Sequence, residues 1–184
     1  MTTPNAPVEH LLWLDLEMSG LDVTQCRIIE AAAIVTDMQL NELDTYEAIV
    51  YQEPAVLEAM DEWCTRVHGE SGLTEAVATG TPEAQVEAEL IAFCGKYWKR
   101  SARAVLAGNS IGQDRKFVDA YWPDLAAKLH YRMLDVSSWK IMLKGRFDVD
   151  FGKAGAHRAL GDIRESINEL RHYLKLIDVS RLDV

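Results

Sequence analysis

The sequence has few cysteines and lacks a long apolar run. Its 184 residues include three cysteines, and none stands in the C-x-x-C spacing typical of zinc or redox sites. This odd, scattered set favours free thiols in a reducing compartment over a disulfide framework. No stretch approaches the roughly 18 apolar residues that a membrane-spanning helix needs, and residues 1–10 lack the pattern of a secretory leader. We therefore expect a cytoplasmic protein that does not enter a membrane.

Basic residues are scarce in the first half of the chain. Residues 1–95 contain two basic and 18 acidic side chains, whereas residues 96–146 contain 11 basic and four acidic ones. The net charge of −10 argues against a protein that coats long nucleic acids, because such binding needs many cations to neutralise phosphates. A small anionic substrate is compatible with it. The uneven distribution fits either an ordinary solvated surface or an acidic metal site beside a phosphate-binding segment.

The length favours one domain over residues 1–184 with a substantial core. Apolar residues from Leu160 to Ile177 recur at spacings of three and four, which predicts an amphipathic helix. Thr81 and either Ser137 or Ser138 are the expected caps of earlier helices. Strands are predicted at 11–16, 27–36, 43–51, 102–107 and 131–136, and helices at 54–63, 82–98, 123–130, 137–144 and 160–177, with another beginning near residue 110. This order predicts an α/β domain with a mixed sheet flanked by helices.

Two carboxylates end the first predicted strand. Asp15 and Glu17 are two residues apart, so they lie on one face of the strand, roughly 6.6 Å apart along it. Buried carboxylates need compensating positive charge, and oxygen ligands suit magnesium or manganese. Taken alone, the pair is better explained by a strand end whose acidic residues are simply solvated, and the metal site gains support only from further residues.

Two further pairs could complete such a site. Ser110 and Asp114 fall where a strand gives way to a helix. There Ser110 could cap the helix and meet a phosphate, and Asp114 could be a third carboxylate. His157 and Asp162 converge if His157 precedes the last helix and Asp162 lies in its first turns, and a histidine there could act as a general base. Taken alone, Ser110 and Asp114 are better explained by an ordinary capped helix, and His157 by a surface or core histidine.

Together these residues resemble the three motifs of the DEDDh exonuclease superfamily. The matches are residues 14–21 (LDLEMSGL), residues 108–114 (GNSIGQD), and His157 with Asp162. Within the superfamily the chain resembles the oligoribonuclease family nearly end to end. Further matching stretches are residues 27–30 (RIIE), 60–63 (MDEW), His68 with 71–73 (SGL), 130–132 (HYR), 134–137 (LDVS) and 162–166 (DIRES). Gly161 departs from the family, which commonly has an aspartate there.

The resemblance implies a ribonuclease H-like fold and a 3′→5′ exoribonuclease that degrades short RNA, down to dinucleotides, to nucleoside 5′-monophosphates. It implies a two-metal-ion mechanism with Mg²⁺ or Mn²⁺, in which His157 is the general base. The implied metal ligands are Asp15, Glu17, Asp114 and Asp162.

The resemblance also implies a substrate pocket and a homodimer. Leu21 would separate the two bases, and Trp63 and His68 would contact the 3′ nucleotide. Tyr131 would reach the active site of the partner subunit. The residues implied to hold the 5′ phosphate are Ser110, Arg132 and Ser137, with a further contact from Gln113. Short single-stranded RNA is the implied substrate, and the linear dinucleotide pGpG is a candidate.

Two other classes of function fit the sequence less well. A noncatalytic RNA-binding or interaction protein on the same fold is disfavoured because all four carboxylates and His157 are present. An exonuclease for longer substrates, such as a proofreading DNA exonuclease, is disfavoured because the residues implied to hold the 5′ phosphate match those of the family that cleaves short RNA. We therefore favour the enzyme that cleaves short RNA.

Overall fold

A computed structural model describes residues 8–99, 102–152, 158–178 and 180 of the chain. Its strands form a five-stranded sheet in the order β3-β2-β1-β4-β5. β1 pairs antiparallel with β2, and β2 with β3, while the β1–β4 and β4–β5 pairs are parallel. The predicted mixed sheet is therefore confirmed. The strands are β1 (His10–Met18), β2 (Ile28–Asp37), β3 (Glu42–Ile49), β4 (Ala104–Gly108) and β5 (Leu129–Asp135).

Eight helices in the described part of the chain flank this sheet. They are α1 (Pro54–Glu58), α2 (Glu62–Glu70), α3 (Leu73–Val77), α4 (Glu83–Gly95), α5 (Gly112–Tyr121), α6 (Pro123–Ala126), α7 (Val136–Phe147) and α8 (Ala159–Leu174). Over the described residues, no helix is both long and apolar enough to cross a bilayer.

The alternation of β1 decides where its acidic residues point. Successive strand residues face opposite sides of a sheet. The even-numbered leucines of β1 pack into a core with α4, α5 and α6. Leu11 and Trp13 pack on the other face, against the apolar side of α8. Asp15 and Glu17 continue this second series, so the strand carries them onto the side of the sheet that α8 covers.

Several predicted helix boundaries are wrong. The helix predicted at 54–63 is two helices, because Asp61 caps a new one: its Oδ1 accepts a hydrogen bond from the Cys64 N–H at 2.7 Å. The helix predicted at 123–130 ends at Ala126, and β5 already begins at Leu129. The helices predicted to reach residues 98 and 177 end at Gly95 and Leu174.

The predicted helix caps also differ from the structure. Pro82 rather than Thr81 occupies the N-cap of α4, without a side-chain bond. Asp135 rather than a serine caps α7, and its carboxylate accepts the Ser137 N–H at 2.9 Å. The Ser137 hydroxyl is therefore not used as a helix cap and can make other contacts.

Candidate active site

Three carboxylates meet where β1 faces the first turn of α8. Asp15 and Glu17 come from the strand, and Asp162 comes from the helix. One oxygen from each of the three lies within 4.8 Å of the other two. This spacing allows a single divalent cation to be held between them, and hard oxygen donors suit Mg²⁺ or Mn²⁺.

Asp114 adjoins this group from α5. It is buried, and its Oδ1 accepts a hydrogen bond from the Leu16 N–H at 3.0 Å. Leu16 is the residue between Asp15 and Glu17, so the bond ties the start of α5 to the acidic end of β1. The charge of Asp114 is also among the causes that raise the pKa of Asp15.

Burial and the repulsion between neighbouring carboxylates raise the pKa values of these groups. Burial, followed by the charges of Asp114 and Glu17, raises the pKa of Asp15 well above its ordinary value. Burial and the charge of Asp162 raise the pKa of Glu17 to about 7. The pKa of Asp114 is also raised to about 7, mainly by burial, although the Leu16 N–H opposes the shift. A cation bound here would relieve this cost, because it favours the ionised forms.

A fifth carboxylate next to the site is compensated by the protein. Glu30 of β2 lies opposite Glu17 and is fully buried. Arg158 donates to it from Nη2 and Nε at 2.7 and 3.0 Å, and the Ala159 N–H donates at 3.3 Å. Sequence reasoning did not single out Glu30 as a site residue. Its signal was an acidic residue inside the apolar run of β2.

The hydroxyl groups predicted to meet a phosphate lie together. The Ser110 and Ser137 Oγ atoms are 3.1 Å apart, and the Ser110 N–H donates to Asp135 Oδ1 and Ser137 Oγ at 3.0 and 2.9 Å. These contacts hold Ser110 at a φ of 52°. The expectation that Ser110 caps α5 is therefore wrong, since Ile111 is at the N-cap. Because β4 and β5 are parallel, the two serines that follow their carboxyl ends lie at the same end of the sheet.

The side chains predicted to contact the bases differ in exposure. Leu21 and Trp63 are 74% and 54% exposed. Gln113 donates from Nε2 to the Leu21 carbonyl oxygen at 2.8 Å, so it anchors the Leu21 backbone. His68 is 1% exposed, and its Nε2 lies 3.1 Å from the Met18 carbonyl oxygen. In this arrangement His68 supports the end of β1 and has almost no surface on which a base could stack.

Two of the remaining predicted residues, Tyr131 and Arg132, are exposed on the edge strand β5, and a third lies outside the described residues. Tyr131 is 73% exposed, and the Arg132 guanidinium carbon lies 5.3 Å from its ring centroid. His157 falls outside the described residues. The structure thus brings Asp15, Glu17, Asp114 and Asp162 together, and separately joins Ser110 to Ser137.

Comparison with known proteins places the chain in a family. A family model described as an exonuclease matches residues 12–170. A protein named oligoribonuclease from Marinobacter nauticus is 52% identical over 170 residues, which are 90% of this chain and 94% of the relative. Another from Alkalilimnicola ehrlichii is 51% identical over 172 residues, covering 90% and 88%. The chain therefore belongs to the exonuclease family, and within it to the oligoribonuclease group. The expected enzyme class, a hydrolytic 3′→5′ exoribonuclease, is confirmed by this membership.

Solved structures at low identity share the fold. Exonuclease I from Methylocaldum szegediense matches 92% of this chain with a TM-score of 0.72 and 16% identity, although the chain spans only 41% of that protein. The nuclease domain of 3′hExo, a DEDDh family member bound to rAMP, matches 91% of this chain and 92% of that domain, with a TM-score of 0.64 and 16% identity. The expected ribonuclease H-like α/β fold is confirmed.

Proposed function

We propose that this enzyme hydrolyses very short single-stranded RNA, with dinucleotides as preferred substrates, and releases nucleoside 5′-monophosphates from the 3′ end. The observation that carries the proposal is the approach of Asp15, Glu17 and Asp162 to within 4.8 Å, with Asp114 bonded to the strand between them. The name oligoribonuclease, borne by relatives at about half identity, supports a short RNA substrate. A single domain would carry the whole site, since the family model extends over residues 12–170.

The acidic residues fit a pair of divalent cations. Asp15, Glu17, Asp114 and Asp162 would hold two Mg²⁺ or Mn²⁺ ions, because their oxygens are of the right type and burial disfavours their ionised forms unless positive charge is nearby. Bound cations would supply the charge that activates water and stabilises the leaving oxygen. His157 would act as the general base that removes a proton from the attacking water. The two-ion count is testable as two Mn²⁺ per chain in calorimetry.

The chain's other residues would orient the substrate. Ser110, Ser137 and Arg132 would hold the 5′ phosphate, since hydroxyl groups and the planar guanidinium suit phosphate oxygens. Leu21 would separate the bases, and Trp63 would stack on the 3′ base. Gln113 would act by holding the Leu21 backbone, and His68 by supporting the end of β1 near the 3′ nucleotide. A substrate end enclosed in this way would leave no exit for a longer chain.

We propose a homodimer, in which Tyr131 reaches the partner's active site. Large apolar side chains are exposed on β5 and α7, which follow each other along the chain: Tyr131, Met133, Ile141, Met142 and Phe147. Basic residues alternate with them, so the surface suits a second copy whose active site is acidic. Sedimentation should give about twice the monomer mass, and Tyr131→Ala should lower activity. A monomer that is fully active would contradict this part of the proposal. A cytoplasmic location stays a prediction.

Initial rates on synthetic substrates test the function. With Mn²⁺ or Mg²⁺, a 5′-phosphorylated diribonucleotide such as pGpG should be cleaved much faster than a heptaribonucleotide or single-stranded DNA, and EDTA should abolish cleavage. Asp15→Ala should reduce the rate to the level seen with EDTA. Asp44→Ala on β3 is the matched control and should retain activity. Equal rates on the two RNA lengths would contradict the substrate preference, and an active Asp15→Ala would contradict the metal assignment.

A further inference from the structure

A chain of hydrogen bonds links the serine pair to the helix that carries Asp162. The Ser137 hydroxyl donates to Asn109 Oδ1 at 3.2 Å, and Asn109 Nδ2 donates to Ser166 Oγ at 2.8 Å. The Ser166 hydroxyl in turn donates to the Asp162 carbonyl oxygen at 2.9 Å. Asn109 directly follows β4 and precedes Ser110, and Ser166 lies one helical turn after Asp162.

The direction of each bond in this chain is determined by proton count. A serine hydroxyl has one proton. Since Ser166 gives its proton to the Asp162 carbonyl oxygen, it can only accept from Asn109, which turns the amide nitrogen of Asn109 toward α8. The amide oxygen therefore faces Ser137 and accepts its only proton. All three bonds consequently point from the serine pair toward Asp162.

A second contact holds Asn109 in this orientation. Its Nδ2 also donates to Glu169 Oε2 at 3.0 Å, and Glu169 Oε1 accepts the Tyr173 hydroxyl at 2.8 Å. Glu169 and Tyr173 are fully buried. Both amide protons of Asn109 are thus used, and the side chain cannot rotate without breaking bonds inside the protein.

Binding of a phosphate at the serine pair would act on this chain directly. The Ser110 hydroxyl can donate to a phosphate oxygen while Ser137 keeps its bond to Asn109 Oδ1, so a bound phosphate would hold Ser137 and the chain behind it in the arrangement of the structure. Occupation of the serine pair and the arrangement of the Asp162 turn are then energetically coupled, because both depend on Asn109. Such coupling between sites is typically about 5- to 150-fold in affinity.

We propose that Asn109 is a positioning residue that makes cleavage depend on the 5′ phosphate. It does so by coupling the Ser110–Ser137 pair, through Ser166, to the α8 turn that carries Asp162. This inference rests on the proposed function, in which the serine pair holds the 5′ phosphate. It assigns a specificity role to a side chain that touches neither the metals nor the substrate.

The ratio of kcat/KM for a 5′-phosphorylated diribonucleotide to that for its 5′-hydroxyl counterpart tests the inference. In the wild type this ratio should be well above one. Asn109→Ala and Ser166→Ala should each lower it at least about fivefold, mainly through kcat on the phosphorylated substrate. Ser166→Thr, which keeps the hydroxyl, should restore most of the ratio. Tyr173→Phe is the matched control, because it removes a hydrogen bond from the same cluster without interrupting the path to Asp162.

The outcomes separate this inference from the function on which it rests. A wild-type enzyme that does not cleave diribonucleotides would overturn the proposed function. A wild-type enzyme that cleaves both diribonucleotides equally well, or variants that keep the wild-type ratio, would overturn the role of Asn109 while leaving the function intact. A ratio lowered equally by Tyr173→Phe would also overturn it, because the effect would then come from general loosening of the cluster.

Discussion

Replacing Asp114 by asparagine should make the metal-free protein more stable while it weakens the proposed metal site. The carboxylate is buried at the start of α5, and its pKa is raised to about 7, mainly by burial. Asparagine has nearly the same shape, and its Oδ1 can still accept the Leu16 N–H that Asp114 accepts at 3.0 Å. The substitution therefore removes the charge and leaves the hydrogen bond.

The size of the effect follows from the shift in pKa. The folded-state pKa of about 7 exceeds the ordinary value of 3.8 by about three units, and each unit corresponds to about 1.4 kcal/mol. Ionised Asp114 thus costs at most about 4 kcal/mol of folding free energy. A buried amide also has a desolvation cost, so we expect a net gain of about 2 kcal/mol. For a protein of this size that is about 4–8 °C in Tm.

The sign of the pH dependence is specific to a raised carboxyl pKa. Below pH 3.8 the group is protonated in both the folded and the unfolded protein, so it costs nothing. As pH rises toward about 7, the unfolded chain releases its proton before the folded protein does, and stability falls. Above pH 7 the full cost is present. Because the desolvation cost of the amide is present at every pH, Asp114→Asn should be less stable than the wild type at low pH, gain on it up to neutral pH, and keep a constant advantage above that.

Thermal unfolding in EDTA across this pH range measures the effect. Asp119→Asn, an exposed residue on the same helix, is the control and should change Tm little at any pH. Excess Mn²⁺ should raise the Tm of the wild type more than that of Asp114→Asn, because a ligand stabilises only the state that binds it. An Asp114→Asn protein no more stable than the wild type at pH 8, or stabilised equally at all pH values, would refute the reasoning.

Two other substitutions test contacts that position the site. Glu30→Gln removes the charged partner of Arg158, whose side chain is partly exposed, and should lower the free energy of unfolding by about 1–2 kcal/mol in urea titrations with EDTA. Unchanged stability would show that this ion pair does not hold the start of α8. Asp61→Ala removes the side-chain cap at the start of α2, which lies outside the acidic cluster. It should lower the free energy of unfolding by about 1 kcal/mol. A Tm equal to that of the control Glu62→Ala would contradict that role.

Features that repeat along the sequence were the most predictable. The period of two in β1 puts Asp15 and Glu17 on one face, and the spacing of apolar residues in α8 identifies its buried side. Because α8 covers the face of the sheet that carries both acids, Asp162 meets them as the motifs implied. A pattern that repeats over many residues identifies an element even when its ends are misassigned, because each additional residue supports the same assignment.

Boundaries set by single contacts were not predictable in this way. Residues 54–63 contain no interior glycine or proline after Pro54, so nothing local separates α1 from α2. The break depends on the Asp61 carboxylate, which accepts from Cys64 instead of continuing the first helix. Similarly, Ser137 looks like a cap in sequence, but Asp135 satisfies the helix start. Competing side chains with similar hydrogen-bonding capacity are distinguished only by the folded geometry.

The partner of Glu30 could not be predicted from the sequence. A charge inside the apolar run of β2 must have a partner, because an isolated buried carboxylate is too costly. The sequence contains 19 basic residues that could be this partner. Arg158 is the one that binds Glu30, because the fold places the start of α8 beside this strand. That pairing also separates two kinds of acidic residue. Glu30 has the Arg158 guanidinium as its charged partner inside the protein. Burial raises the pKa values of Asp15, Glu17 and Asp114, three of the four proposed metal ligands, and a bound cation would relieve this cost.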